Sequence, residues 1–237
     1  MKLTLLKTPQ VRQPTERIVA KRAALQLRII DAALKTFSTR GFENTSFADI
    51  AEQLQMTGPA LYHYFPTKDQ LLFACLDQIL DQLLTDANHA SSGEGTAKDR
   101  LAKVVRTQVA TELKYGSTAP LINAHLYGPQ YLTEMVKVEQ QELLRVKQRS
   151  LIQIYRSLIQ DGISSGIFHP TDVKVAAFNV LAIVQYSGVW FRPKRGRKLS
   201  DAIEAQVSAV MSLLGATSDT EPVFTGAIRT TTPRVLK

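Results

Sequence analysis

The chain has 237 residues, 44% of them apolar, with 12 Gly and 10 Pro, a globular composition that excludes the low-hydrophobicity, high-charge signature of disorder. Its single cysteine excludes an intramolecular disulfide and cannot supply the paired thiolates of a structural zinc site. Lys and Arg number 29 against 21 Asp and Glu, and the net charge of +8 points to a polyanionic partner or an anionic membrane surface without specifying a fold.

The charge is concentrated at the start. Lys2, Lys7, Arg12, Arg17, Lys21 and Arg22 face only Glu16, and Thr8, Pro9, Gln10, Gln13, Pro14 and Thr15 intersperse them, so residues 1–20 read as a disordered basic arm. Leu3, Leu5 and Leu6 are cut short by Lys7 with no small-residue cleavage site after them, which argues against a signal peptide. Arms of this kind touch phosphate or the minor groove beside a nucleic-acid-binding module, making Arg17, Lys21 and Arg22 candidate contacts; a merely solvated end is the alternative.

From about residue 23 the period is helical, with Ile30, Ala33, Leu34 and Phe37 on one face and Gly41 as the stop. A second helix opens at Ser46, where Asp49 three residues on completes a capping box, and buries Phe47, Ile50, Ala51 and Leu54. Gln55, Met56 and Thr57 separate it from a short segment, 58–65, with Thr57 as N-cap, Pro59 in the first turn, and Leu61 and Phe65 facing inward. The next helix starts at Thr67, with Gln70 completing a box, and runs through Leu72, Leu76, Ile79, Leu80 and Leu84. Residues 89–97 read as a loop. Helices follow at 101 to about 115, at 120–126, and at 131–160 with Gly162 as the stop. Thr171 is expected to cap an apolar helix ending near Trp190, and a basic loop at 192–198 leads to a last helix, 199–214, stopped by Gly215. With no alternating run long enough for a strand, the fold class is all-α, about nine helices with two frayed ends, the second at 216–237. The most apolar stretch, 175–191, contains Asn179, Gln185 and Gly188 and falls short of the roughly 20 residues a membrane span needs. It reads as a buried helix, so the expectation is a cytoplasmic protein with no membrane partner.

Helix, three-residue turn and short helix is the geometry of a helix-turn-helix, whose second member enters the major groove while the first braces it. Ala32, Ala33, Leu34, Phe37, Gly41, Phe42, Thr45, Ser46, Asp49, Ile50 and Ala51, followed by the run Thr57-Gly58-Pro59-Ala60-Leu61-Tyr62-His63-Tyr64-Phe65 and then Thr67, Lys68 and Leu71, keep one register over about 50 residues. This pattern closely resembles the N-terminal domain of the TetR family of bacterial transcriptional repressors. Beyond Leu72 the likeness is one of size and helix order.

The resemblance implies a helix-turn-helix DNA-binding domain at 21–67 and a larger ligand-binding and dimerisation domain at 68–215. It places Thr57, Gly58, Pro59 and Ala60 near base edges and Tyr62, His63, Tyr64 and Lys68 at phosphates. The first four lack Arg, Lys, Asn and Gln, the side chains that pair bidentately with guanine or adenine, and Gly58 stands where many relatives carry a basic residue. Base reading is therefore expected to lean on apolar contact to thymine methyls, the Thr57 hydroxyl and DNA shape. Thr45 and Ser46 offer hydroxyls and N–H groups at a helix start, suited to a phosphate or to capping alone. Tyr62 reads as a phosphate contact or as partial core packing. Lys68 opens a helix, where the dipole disfavours a cation and a phosphate neighbour would explain it, with an ordinary solvated lysine as the alternative.

In this family the last two long helices form a two-fold interface that reads a palindromic operator, implying a homodimer through Val180, Val184, Ile203, Val207, Val210 and Met211, with burial within one subunit as the alternative. A small effector entering the middle helices releases the DNA; candidate pocket residues are Phe73, Leu76, His125, Tyr127, Tyr131, Tyr155, Tyr186 and Trp190, with core packing as the competing reading of each. Trp190, Phe191, Pro193 and Gly196, followed by Ser200, resemble a subgroup that responds to acyl-CoA thioesters, and Arg192, Lys194, Arg195, Arg197 and Lys198 would suit a CoA phosphate. The partners implied are double-stranded DNA, an effector and a second copy of the chain, with no cofactor.

An enzyme finds no support. Cys75 has no nearby partner in sequence, and His63, His89, His125 and His169 share no metal-ligand spacing. There is no glycine-rich phosphate loop and no nucleophile elbow. A non-specific nucleic-acid binder or a membrane-surface protein would also fit the charge.

Overall fold

A computed structural model describes residues 16–114, 137–191 and 198–216, apart from the side chains of Val189 and Trp190. The expected helix at 120–126, the start of the one at 131, and the basic loop at 192–197 lie outside the described residues, as do residues 1–15 and 217–237. Among the described residues the regular structure is entirely helical: α1 Glu16–Arg40, α2 Phe47–Gln53, α3 Gly58–Tyr62, α4 Lys68–Ser91, α5 Ala97–Lys114, α6 Val138–Ser164, α7 Val173–Gln185, α8 Ser187–Trp190 and α9 Leu199–Leu213.

Helix α1 begins seven residues before the expected start at 23, so residues 16–20 are helical rather than part of an arm. Past Pro14 nothing breaks the chain, and Glu16, Arg17, Ala20, Lys21, Arg22, Ala23 and Ala24 are strong helix formers. Glu16 in the first turn and Arg40 in the last suit the helix dipole. Its second half buries Ile29, Ile30, Ala33, Leu34 and Phe37, whereas Ile18, Val19 and Leu27 remain exposed. Gly41, at φ +81°, ends it, and Phe42 turns back to meet Phe37 edge-on at 5.1 Å between ring centroids. Phe47, Ile50, Ala51, Leu61 and Phe65 complete the small three-helix core, with Leu54 partly buried at its rim. Each fully buried side chain of this size contributes roughly 1.5–3 kcal/mol.

Helix α4 leaves this core and enters the larger body, where it packs against α5 and α6. Thr67 accepts from the Gln70 N–H at 3.1 Å, the first half of the expected box. Because α4 continues to Ser91, the expected loop at 89–97 shrinks to its second half. Gly162 does not stop α6, which runs on to Ser164; the left-handed residue is Gly166, at φ +70°. Gly162 answers a different demand: a Cβ there would lie 2.1 Å from Cδ2 of Phe168, whose buried ring covers it. The cap of α7 is Asp172 rather than Thr171, its carboxylate accepting from the N–H groups of Lys174 and Val175 at 2.8 and 3.2 Å. The apolar helix expected to reach Trp190 breaks at Tyr186 into α7 and α8. Gly215, at φ +64°, stops the last helix as expected.

Candidate nucleic-acid interface and effector core

The capping box at α2 forms in full. Ser46 Oγ accepts from the Asp49 N–H at 3.3 Å and donates to Asp49 Oδ2 at 2.6 Å, while the Ser46 N–H donates to the same oxygen at 2.8 Å. Those two bonds from Ser46, helped by Arg40, hold the Asp49 carboxyl below the usual carboxylate range. The anion at this helix start is therefore Asp49 itself. Ser46 stays exposed, but its hydroxyl and N–H are already engaged. Thr45 is corrected outright as a surface hydroxyl: it is only 3% exposed and donates to the Gly41 carbonyl at 2.7 Å.

Across the turn, Gln55 sits at φ 54°, the sole non-glycine residue with positive φ among those described. It swings α3 so that Leu61 and Phe65 point into the core while Thr57, Pro59, Tyr62 and His63 are exposed and Gly58, Ala60 and Tyr64 half-buried. Thr57 takes the N-cap position by backbone, without a side-chain capping bond. Tyr62 does both things its sequence left open: it is 56% exposed, and its ring leans on Phe47 at 4.6 Å between centroids. A Cβ at Gly58 would meet nothing within 4 Å, so the leading edge of α3 is open on the side where a longer residue would project.

Two cations brace the helix-turn-helix unit, one at the end of α3 and one between the start of α4 and the α1–α2 loop. The Arg22 guanidinium donates to the His63 carbonyl at 3.5 Å and lies 5.8 Å from the centre of the Tyr64 ring, tying α1 to the end of α3. Lys68 Nζ donates to the carbonyls of Phe42 and Glu43 at 2.9 and 3.3 Å and sits 4.4 Å from the centre of the Phe42 ring. The cation at the start of α4 thus has an explanation within the fold, where sequence offered a phosphate or plain solvation. Ile18, Lys21 and Leu25 of α1 face Ala60, His63 and Tyr64 across an open groove of about 740 Å³, and Arg17 is exposed one turn before Lys21. The bracing role of Arg22 could have been suspected from α1 only if its helical start had been recognised.

In the larger body the pocket candidates among the described residues divide between core and surface. Leu76 and Tyr155 are buried core, Phe73 is half-buried, and Tyr186 is 56% exposed on the outer side of α7, where it cannot line an interior of its own subunit. His125, Tyr127, Tyr131 and the side chain of Trp190 lie outside the described set. The polar interior is elsewhere: Tyr155 OH donates to Gln108 Oε1 at 2.7 Å, and Glu112, one turn along α5, is buried beside Gln108. Neither Gln108 nor Glu112 stands out in the sequence, although both interrupt the apolar face of α5.

Four of the six expected dimer residues are also corrected. Val180, Val184, Val207 and Val210 are buried within the subunit, and Ile203 and Met211 pack partly against the same core. The outward stripe of α7 is Val175, Phe178, Asn179, Ala182 and Tyr186; on α9 it includes Ala205, Ser208, Ala209, Ser212 and Leu213. A helix apolar on nearly every side does not reveal in sequence which stripe its own subunit covers. Among the described residues no helix is long and apolar enough to cross a membrane, and no group of His, Cys, Asp or Glu could hold a metal ion.

A braced helix-turn-helix joined through α4 to a larger helical body defines a regulatory DNA-binding class of fold. Residues 29–75 match the family "Bacterial regulatory proteins, tetR family", and residues 94–214, half of the chain, match "Tetracyclin repressor-like, C-terminal domain". The chain belongs to the TetR family of bacterial regulators. Among curated relatives, the HTH-type transcriptional regulator BetI of Brucella melitensis biotype 1 is 28% identical over 103 residues, 43% of this chain and 52% of that protein. The chain thus spans about half the length of the curated relatives it matches. Among solved structures, a tetR-family regulatory protein from Rhodococcus RHA1 superposes with a TM-score of 0.70 at 24% identity, covering 81% of this chain and 98% of that one. AibR, in complex with isovaleryl coenzyme A and operator DNA, superposes with a TM-score of 0.67 at 21% identity, covering 81% and 99%. At these identities the superpositions establish the fold.

Proposed function

We propose that the protein is a dimeric transcriptional repressor that binds a palindromic operator through α3 and is released from it by a small, largely apolar effector. The observation that carries this reading is the outward face of α3, where Thr57, Pro59, Tyr62 and His63 stand exposed on a helix whose end Arg22 ties to α1. A reading surface must be preorganised to discriminate sequence, and this brace contributes to that. Thr57, Gly58, Pro59 and Ala60 lie at the leading end of α3 for base contact, with Tyr62, His63 and Tyr64 flanking them for phosphate. Arg17 and Lys21 extend the cationic edge along α1, while Ser46, Arg22 and Lys68 act chiefly by shaping the unit. The working division is a reading domain at 21–67 and an effector and dimerisation domain at 68–215, and the protein works in the cytoplasm, without catalysis.

The dimer surface is the apolar stripe of Val175, Phe178 and Tyr186 on α7 beside the small-residue face of α9, in place of the valines that the subunit itself buries. Exposed aromatic and aliphatic side chains in one row favour a covering partner, and a two-fold copy supplies the same row. The effector class is supported by AibR, whose structure holds isovaleryl coenzyme A with operator DNA, and by the basic sequence run at 192–198.

Footprinting of the DNA flanking the gene tests the function. The expected result is protection of one short palindrome, lost on adding isovaleryl coenzyme A or another acyl-CoA. Diffuse, sequence-independent protection would sink the regulator reading. Protection that no acyl-CoA relieves would leave the regulator standing and remove the effector class.

A further inference from the structure

The interior between α5 and α6 holds polar groups that nothing on the DNA-reading surface uses. Gln108 is 3% exposed; its Oε1 is committed to the Tyr155 hydroxyl, and its Nε2 is buried and makes no well-formed hydrogen bond, although it lies near enough to the Glu112 carboxyl to act on it. A buried amide nitrogen left in this state is costly, which marks a group awaiting an acceptor. Glu112 follows at i+4 on the same side of α5, 6% exposed. Burial pushes its carboxyl up to about 8, with the Gln108 amide pulling the other way and no cation acting on it. At neutral pH Glu112 is therefore mostly a carboxylic acid, and its O–H is a donor. Two donors, four residues apart, share one face of an otherwise apolar helix interior that includes Val105 and Val109.

Resting on the effector-responsive reading above, we propose that Gln108 and Glu112 form the recognition end of the effector site and receive one uncharged carbonyl oxygen. A carbonyl oxygen has two lone pairs, one for the Gln108 N–H and one for the Glu112 O–H. The same group is offered by a ketone, an ester, a thioester or an amide, and the apolar core around the pair suits a hydrocarbon remainder. An ammonium ligand would pair with an ionised Glu112 but leave the Gln108 donors facing a positive charge. A carboxylate ligand would bring a full negative charge into an apolar interior where no cation acts.

The test titrates the full-length protein, by calorimetry, with four probes of similar length: 2-nonanone, nonane, nonylamine and nonanoate. The expected order has the ketone binding about tenfold or more tighter than the other three, as one or two good hydrogen bonds require. The infrared carboxylic-acid band assigned to Glu112, by its loss in Glu112→Gln, shifts but persists when the ketone binds. Gln108→Leu weakens the ketone about tenfold, whereas Glu112→Gln, which keeps a donor, costs no more than about threefold. Far-UV circular dichroism confirms that each variant is folded, and the wild-type probe series decides the matter even where a variant does not fold. Tightest binding of nonylamine with loss of the acid band, tightest binding of nonanoate, or no preference for the ketone would each overturn the proposal. Footprinting run in parallel separates the two readings: a discrete operator with no ketone preference defeats only this inference, while no operator defeats the regulator reading.

Discussion

Glu112→Gln has a pH-dependent consequence for stability that needs no ligand and no DNA. In the unfolded chain the Glu112 carboxyl loses its proton near the ordinary glutamate value of 4.5, whereas the folded protein holds that proton up to about 8. Between those values the folded state binds more protons than the unfolded one, so this group makes stability fall as pH rises, by about 1.4 kcal/mol per pH unit. Below pH 4.5 both states are protonated and the group contributes nothing; above pH 8 its full cost, about 5 kcal/mol, is present. Glutamine carries no such proton and nearly the same shape. The stability of Glu112→Gln relative to wild type should therefore improve by roughly 3–4 kcal/mol between pH 5 and pH 8. Urea denaturation followed by far-UV circular dichroism, at fixed protein concentration and at pH 5, 6, 7 and 8, measures the difference directly. All other titrating groups are common to both proteins and cancel. Parallel profiles would show that the carboxyl is solvated or paired in the folded protein, and would also remove the O–H donor from the effector argument.

Three further outcomes follow from other contacts. Gly162→Ala places a methyl where the buried Phe168 ring lies, 2.1 Å from Cδ2, and should destabilise by about 1–3 kcal/mol, read as a lower melting midpoint; an unchanged midpoint would mean the ring can move aside without loss. Lys21→Gln should lower the salt slope of operator binding by about one, while Arg22→Met, which unties α1 from the end of α3, should weaken binding with little change in slope. Equal slope changes in the two would make Arg22 a phosphate contact instead of a brace. Phe178→Asp should dissociate the dimer in sedimentation while leaving the helical spectrum intact, because the ring is 56% exposed on one subunit; an unaffected dimer would remove α7 from the interface.

The reading domain was legible because its signals are local. Gly41, the Ser46 and Asp49 box, and the inward pair Leu61 and Phe65 act within a few residues of themselves and formed as expected. Thr45 was misread because a hydroxyl four residues after a glycine can turn back onto its carbonyl, and sequence does not show which way it turns. Lys68 was assigned a phosphate because the carbonyls of Phe42 and Glu43 that hold it belong to a loop 25 and 26 residues earlier. In the larger body the misses have one source. Val180, Val184, Val207 and Val210 and their outward neighbours look alike in a sequence apolar on every side, and only packing separates them.

The sequence by itself determined the family, the all-helical class and the reading unit, since hydrophobic period, caps and turn residues are properties of short stretches of chain. The tertiary structure decided that Arg22 braces the end of α3, which stripe of α7 the subunit leaves exposed, and that Gln108 and Glu112 are buried. Each of these depends on what a residue distant in sequence places, or fails to place, beside the group, and the cost of burying a charge or leaving a donor unpaired exists only once that neighbour is fixed.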